Sequence, residues 1–292
     1  MIGTMTKETI GDKIDSAFPG EVRMLRLQGP DGLQTPHFGL FRDDTWECLD
    51  YAPKKGYVPH TRDDVKALGE AASEAWGDVV DIDCGWHNGH RLTICPSKEH
   101  RRSICGTNDN LFPRCFVYGG YNGRAFSATL GAYYDRCQNL MMISSAGSYR
   151  QTIRHTSGLR DKMDSLIGQF SSLANQWQNL GDIAAEMQTR ESTIADYIAQ
   201  VYPLPSEATD TVARKYQNRA VAIVNRIIRE RQATFGRAGN IERATMWELY
   251  NGVQGYIQHD KTRRNSPSTF QRQMLALEDT TVNRALQLSL AA

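Results

Sequence analysis

The residue pattern changes character once, near residue 157, and that change limits the folds open to this chain. Upstream, short runs of alternating apolar and polar residues are separated by turn residues. Downstream, Leu159, Met163, Leu166, Ile167, Phe170, Leu173, Ala174, Trp177, Leu180 and Ile183 keep helical spacing without a break. A strand-rich half followed by a helix-rich half argues for α+β. It argues against a doubly wound parallel sheet, in which strands and helices alternate. The expectation is an N-terminal antiparallel sheet of hairpins with flanking helices, followed by a mostly helical C-terminal half. Residues 1–156 then form the strand-rich core, and residues 157–292 a helical part that packs on it as one continuous domain.

Local signals fill in this outline. Residues 6–18 carry Ile10, Ile14 and Phe18 four apart and read as a short helix. Alternation marks strands at Glu21–Leu27 and His37–Phe41, with further short strands at Thr45–Ala52 and around Tyr57–Val58. Thr61 caps a helix that runs to Trp76 and stops at Gly77. Asn88-Gly89 joins Val79–Asp83 to Arg91–Cys95 as a hairpin. A second hairpin pairs Leu111–Tyr118 with Arg124–Tyr134 around Tyr121–Gly123. In the second half, residues 193–202 form a short helix stopped by Pro203 and Pro205. Residues 209–235 form a long helix stopped at Gly236 and Gly239. Thr245 and Glu248 make a capping box for a helix running to about His259. Residues 268–290 return to helix.

With 292 residues the chain can bury a core without disulfides or metals. No export signal or long apolar run is visible, so a cytoplasmic location with reduced thiols is expected for its six cysteines. Charge is uneven. Residues 1–149 hold 16 basic and 19 acidic side chains, and residues 150–292 hold 18 and 14.

Several groupings invite a chemical reading. Cys84, His87, His90, Cys95, His100 and Cys105 are zinc-competent, but no Cys-x-x-Cys pair exists and ligands on a hairpin alternate between faces. Cys137 and His155 suggest a nucleophile and base, yet Cys137 sits beside Leu140, Met141 and Met142. Cys137, Gln138, Asn139 and His155 read better as a structural polar knot. The glycines of Tyr118–Arg124 lack the Gly-Lys-Ser/Thr and the helix of a phosphate loop. Asp81, Asp83, Asp109 and Asp135 are scattered and do not require a metal nuclease. No catalytic residue, metal site or cofactor is assigned.

The basic residues carry more information. Residues 214–243 hold eight Arg or Lys against two Glu. On a helical wheel Lys215, Arg219, Arg226 and Arg229 fall within about 80° of one another, and Tyr216, Ala220, Val224 and Ile227 lie roughly opposite. Such a face is either solvated or tracks phosphates. A second cluster comprises Arg124, Tyr133, Tyr134, Arg136, Tyr149, Arg150 and Arg154. In its alternating run Tyr149–His155, Arg150, Thr152 and Arg154 share one face, and Tyr149, Gln151, Ile153 and His155 the other. Arginines and tyrosines on a sheet suit a single strand, held by phosphate charge and base stacking.

The segment GGYNGRAFSATLGAYYDRCQNLMMI, followed by YRQTIRHTSGLRDKM, resembles the uncharacterised phage/plasmid-like protein family of phages and mobile elements. Arg136-Cys137-Gln138-Asn139 and Arg154-His155-Thr156 fit two elements of that family. Tyr51–Glu70 looks like its extended segment plus helix, and Trp247–His259 like its late helix ending in His. The turn departs from the pattern, because Tyr121-Asn122-Gly123-Arg124 replaces a His-Asp-Gly-Ser type. The resemblance implies a mobile-element protein in a bacterial cytoplasm, and by fold-level analogy a single-strand annealing protein. The leading expectation is a non-catalytic protein that binds single-stranded DNA in recombination or replication, self-assembles, and does not engage a membrane. Arg124, Tyr133, Arg136, Arg150, Arg154, Lys215, Arg219, Arg226 and Arg229 are its expected contacts. The alternatives are an anti-defence protein that binds a host protein, and a metal-dependent nuclease.

Overall fold

A computed structural model of the chain describes residues 7–18, 20–51, 53, 56–77, 79–86, 89–103, 110–121, 125–134, 140–141, 150–236, 239–261 and 279–291. It is a mixed helix-and-sheet structure with antiparallel sheets. The chain divides into two compact units. One comprises residues 1–100, 113–130 and 147–176; the other comprises 101–112, 131–146 and 177–292. The change of pattern at residue 157 precedes the last boundary between the units, which falls inside one long helix.

In the first unit, α1 (Lys7–Ala17) buries Ile10 and Ile14, and Phe18 follows them into the core. Helix α2 (Arg62–Trp76) has Thr61 as N-cap and Gly77 as C-cap, at φ 74°. The Thr61 hydroxyl accepts the Asp64 N–H, and the Asp64 carboxylate accepts the Thr61 N–H, so two orphan amides are satisfied at once. Gly69 lets α2 approach its neighbours closely. A Cβ there would lie 3.2 Å from Ile10 and Ile14, and 3.7 Å from Leu92. The two helices thus pack on each other and on the hairpin of β4 (Val79–Trp86) and β5 (Gly89–Pro96).

A small sheet has the order β1-β2-β3, formed by Val22–Gln28, Gln34–Arg42 and Cys48–Asp50. Strand β1 does not show the burial alternation that its sequence implies, because Arg23, Met24, Leu25 and Arg26 are all exposed. The far part of the β1–β2 ribbon meets solvent on both faces. Only its root, at Val22 and Leu40, is buried, in a cluster with Tyr121. No regular strand forms at Tyr57–Val58.

The larger sheet adds β6 (Arg102–Ser103), β7 (Asn110–Gly120), β8 (Phe126–Tyr134), β9 (Leu140–Met141) and β10 (Arg150–Ile153). Its order is β10-β8-β7-β5-β4, with β6 on β7 and β9 on β8. Strand β7 lies between β8 and β5, and its Leu111, Phe112, Cys115, Phe116, Val117 and Tyr118 are all buried. That continuous burial is why its sequence lacks alternation. Helix α3 (Leu159–Thr189) follows β10.

The second unit contains a two-stranded sheet that has no counterpart in the sequence-based expectation. β11 (Glu191–Thr193) pairs antiparallel with β12 (Arg243–Thr245). Each strand ends on a threonine that caps the next helix: α4 (Ile194–Val201) by Thr193 and α6 (Met246–Gly255) by Thr245. Helix α5 (Asp210–Phe235) lies between them in sequence and ends on Gly236 in the left-handed region. Beyond α6 the helix widens to a π turn at Tyr256–Asp260. Helix α7 (Thr280–Ala291) closes the chain. Arg190 donates to the Ser289 and Leu290 carbonyls in its last turn, and the Tyr197 hydroxyl donates to the Ala285 carbonyl at 2.8 Å. Among the described residues no helix is long and apolar enough to cross a membrane.

Helices α5 and α6 touch at a point where Gly252 leaves room for Ile227; a Cβ at residue 252 would collide with that side chain. Gly252→Ala should lower the unfolding free energy by about 1–3 kcal/mol through overpacking. Gly168→Ala, on α3 with open space around it, should be neutral or stabilising by up to about 1 kcal/mol. Urea denaturation of both variants checks the contrast.

Candidate functional site

The basic face of α5 splits into two halves with different fates. In the C-terminal half every arginine is engaged. Arg226 pairs with Glu230 at 2.6 Å and with Asp260 at 3.7 Å. Arg229 pairs with Asp260 at 2.8 Å. Arg231 is 6 % exposed and sits against both carboxylate oxygens of Glu248, at 2.8 and 3.1 Å, while donating to the Asn240 and Arg243 carbonyls. In the N-terminal half, Arg214 and Lys215 are exposed and Arg219 is half-buried, and among the described residues none of the three has a carboxylate partner. Glu207 and Asp210 are exposed just before them. Asp210 stands in the first turn of α5, where the helix dipole favours an acid.

Two of these cations, Lys215 and Arg219, border a groove of about 270 Å³. Its floor and one wall are the end of α4 and the turn after it: Val201, Tyr202, Pro203, Leu204 and Pro205. The other wall is Val212, Lys215, Tyr216 and Arg219, a stripe at spacings of three and four along α5. The stripe straddles the boundary between the basic face and the apolar face expected from the helical wheel. The Arg219 guanidinium lies 4.4 Å from the Tyr202 ring centroid, a cation–π contact that fixes both side chains. Burial pushes the Tyr202 phenol up, and its hydroxyl shares a hydrogen bond with Thr281. Pro203 and Pro205 end α4 and hold the turn open. Leu204 and Val212 remain 44 % and 40 % exposed, so the groove carries apolar surface at its rim.

The first unit holds a different cluster. His60, His90, Tyr121 and His155 are all buried, at 0, 1, 1 and 7 % exposure. They come from the loop before α2, from β5, from the end of β7 and from the end of β10. His60 Nε2 and His90 Nδ1 are 2.8 Å apart. The Tyr121 hydroxyl donates to the His60 carbonyl at 3.0 Å, and its ring stacks on the His60 ring at 4.6 Å. Trp86 stacks on Tyr121, and Arg42 lies over Trp86 at 4.5 Å. His155 Nδ1 reaches the Val58 carbonyl at 3.0 Å, and its ring stacks on Tyr57. Gly119 makes the cluster possible, since any Cβ there would enter the His60 ring.

Among the described residues, one ring N–H in this cluster has no partner: if His60 donates to His90, the His90 Nε2 proton finds no acceptor there, and if His90 donates, the His60 Nδ1 proton finds none. Both rings are held neutral. Burial pushes His60 well below the ordinary histidine value, the Arg160 charge pushes the same way, and protonation of His90 or His155 would push it further. Burial, with Arg42 and Arg62, pushes His90 down to about 3. Burial also lowers His155.

The remaining expected site residues fall as follows. Arg154 is exposed, Thr152 is exposed, and Ile153 and His155 are buried, so the alternation expected for this strand is present. Tyr133 lies on β8 opposite Leu140, and Arg150 on β10 opposite Thr129. Arg124, Arg136, Cys137, Gln138 and Asn139 lie outside the described residues. The zinc-competent residues diverge: His90 turns inward to His60, and His100 meets the Trp76 carbonyl at 3.2 Å. His87 and Cys105 are outside the described residues. Among those described, no three His, Cys, Asp or Glu side chains are grouped to hold a metal. Asp81 and Asp83 pair with Lys13 and Arg91, and Asp109 and Asp135 lie outside the described residues. Burial pushes the Cys84 thiol up to about 11 and the Cys115 thiol up to about 12, which removes thiolate character at neutral pH.

Sequence reading missed Tyr202, Arg214, His60 and Tyr121. The Tyr-Pro-Leu-Pro run beside a basic helix was a usable signal for Tyr202. Nothing local marks the convergence of His60, His90 and Tyr121.

A family model described as a domain of unknown function, DUF932, matches residues 106–282, which is 177 of the 292 residues. The match includes Cys115–Arg160 and Trp247–His259, both of which carry the resemblance drawn from the sequence. No curated protein and no solved structure matches the chain.

Neutral buried histidines make stability depend on pH in a defined direction. The unfolded chain takes up protons near 6.5 at these sites, and the folded chain does so only well below that value. The contribution is therefore complete above pH 6.5 and is lost as pH falls below it. Unfolding free energy from urea titrations should decline below pH 6.5 with a slope approaching about 1.4 kcal/mol per pH unit for each buried histidine. His90→Leu should flatten the decline. An unchanged slope in that variant would assign the decline to carboxylates.

Proposed function

We propose that this chain, which belongs to the DUF932 family of domains of unknown function, is a nucleic-acid-binding protein that holds single-stranded DNA. The observation that carries this reading is the N-terminal half of α5: Arg214, Lys215 and Arg219, which have no carboxylate partner among the described residues, beside exposed apolar residues and two half-buried tyrosines. Phosphate contacts supply most of the affinity of such proteins, and aromatic faces supply stacking that tolerates any sequence. Arg154, exposed at the end of β10, is a further cation of the expected set that remains available.

In this reading the protein serves a phage or plasmid in the cytoplasm of a bacterial host, during recombination or replication. Self-assembly belongs to the same proposal, because one module tracks only a few nucleotides, on the order of 4–16 by comparison with other single-strand binders. The engagement of Arg226 and Arg229 by Asp260 narrows the proposed surface to Lys215, Arg219 and the adjacent Arg214.

Fluorescence anisotropy with an oligothymidylate at several salt concentrations tests the proposal. The wild-type chain should bind, and the slope of log K against log salt should fall by about 1.4 when Lys215 and Arg219 are both replaced by alanine, at about 0.7 per lost phosphate contact. Arg229→Ala, which removes a cation already paired with Asp260, should leave affinity within about twofold. Affinity weaker than about 10⁻⁴ M at low salt would remove the basis of the reading.

A further inference from the structure

We infer that the groove between the α4–α5 turn and the Val212–Arg219 stripe is a base pocket: one unstacked nucleobase lies in it while Lys215 and Arg219 hold the flanking phosphates. The inference rests on the nucleic-acid reading above and adds what that reading lacks, a reason for preferring single strands. A basic helix face alone attracts any polyanion, duplex included. A pocket that must be filled by a base attracts only a strand whose bases are free to leave the stack.

Size, lining and charge agree on this occupant. At about 270 Å³ the groove lies just below the range of about 300–1,000 Å³ usual for small-molecule sites, which suits one planar ring system better than a whole cofactor. Its lining is apolar or aromatic except at Lys215 and Arg219, and those two cations stand on the same wall. Tyr216 is half-buried, stands next to Lys215, and lines the groove with an aromatic side chain. Tyr202 is different. Its ring is taken by Arg219 and its hydroxyl by Thr281, so it positions the arginine and forms the back of the groove. Leu204 and Val212 leave the rim apolar and uncovered beside the cations, a combination suited to a ligand that is greasy and planar at one end and anionic at the other. The carboxylates of Glu207 and Asp210 stand in and just after the turn and are absent from the lining.

Anisotropy titrations on the full chain distinguish the parts of this argument. The probes are an oligothymidylate, an abasic strand of equal length, and a duplex. Wild type should bind the oligothymidylate at least about tenfold more tightly than either of the others. Tyr216→Ala should lose about tenfold on the oligothymidylate and nothing on the abasic strand. Tyr216→Phe should retain affinity, which guards against a folding defect. Val212→Trp, at an exposed rim position, should fill the groove and reproduce the Tyr216→Ala result. If the oligothymidylate, the abasic strand and the duplex bind equally while Lys215→Ala/Arg219→Ala still weakens all three, the phosphate-binding role stands and the base pocket is wrong. If no probe binds, both are wrong.

Discussion

Each unit of this protein is organised around the same interaction: a capping-box carboxylate gripped by an arginine from another helix. In the first unit Asp64 accepts the Thr61 N–H and hydroxyl at the start of α2 and is also bound by Arg160 from the first turn of α3. In the second, Glu248 accepts the Thr245 N–H at the start of α6 and is bound by Arg231 of α5. Both carboxylates therefore serve two masters, a helix end and a distant cation. Asp64 is 6 % exposed, and so is Arg231. The Arg231–Glu248 pair is the more enclosed of the two, and removing one member of a buried pair costs about 3–5 kcal/mol because the survivor is left charged and dry. Arg160 is more than half exposed, so its pair with Asp64 is worth less. Loss of either carboxylate would also open a helix terminus.

This arrangement decides which cations are available for anything else. Arg231 cannot reach solvent without unseating α6 and the turn that carries the Asn240 and Arg243 carbonyls. Arg226 and Arg229 are drawn to Asp260 in the π turn that ends α6. The positive charge of α5 is thus consumed progressively toward its C-terminus and left free toward its N-terminus. A count of basic residues along the helix would spread that charge evenly. The structure concentrates what remains near the half-buried Tyr202 and Tyr216, beside the exposed Leu204 and Val212.

How much of this was legible in the sequence depends on range. Caps are local, and Thr61, Gly77, Gly236 and the Thr245–Glu248 box stand where their residue types require. Hairpins and helices bounded by such signals were readable, and so was the alternation of Ile153 and His155 against Thr152 and Arg154. The β11–β12 pair was not, because three residues carry no period and the partners lie 52 residues apart. The histidine cluster was invisible for the same reason. His60 and His155 sit on separate elements that meet only once the sheet has formed. The fate of Arg229 depended on Asp260, a residue with no local reason to face it, whereas the pairing of Arg226 with Glu230 four residues on was readable from helical spacing. Strand β1 was located correctly, but its alternation misled, since a pattern that implies one buried face occurs here on a ribbon with none.

That ribbon has a consequence for how the molecule can be watched. Its turn is held by its own backbone, with the Gly29 N–H on the Leu33 carbonyl at 2.8 Å and Gly32 in a left-handed conformation. From Arg23 to Arg26 every residue is exposed, with only surface contacts such as Arg23 to Asp43 and Arg26 to Gln34, and Leu33 at the tip is 72 % exposed. Substitution there leaves the core untouched, so a fluorophore on the tip would report local tumbling without disturbing the fold it reports on. The same freedom means that a change of residue at the tip costs the core nothing in burial.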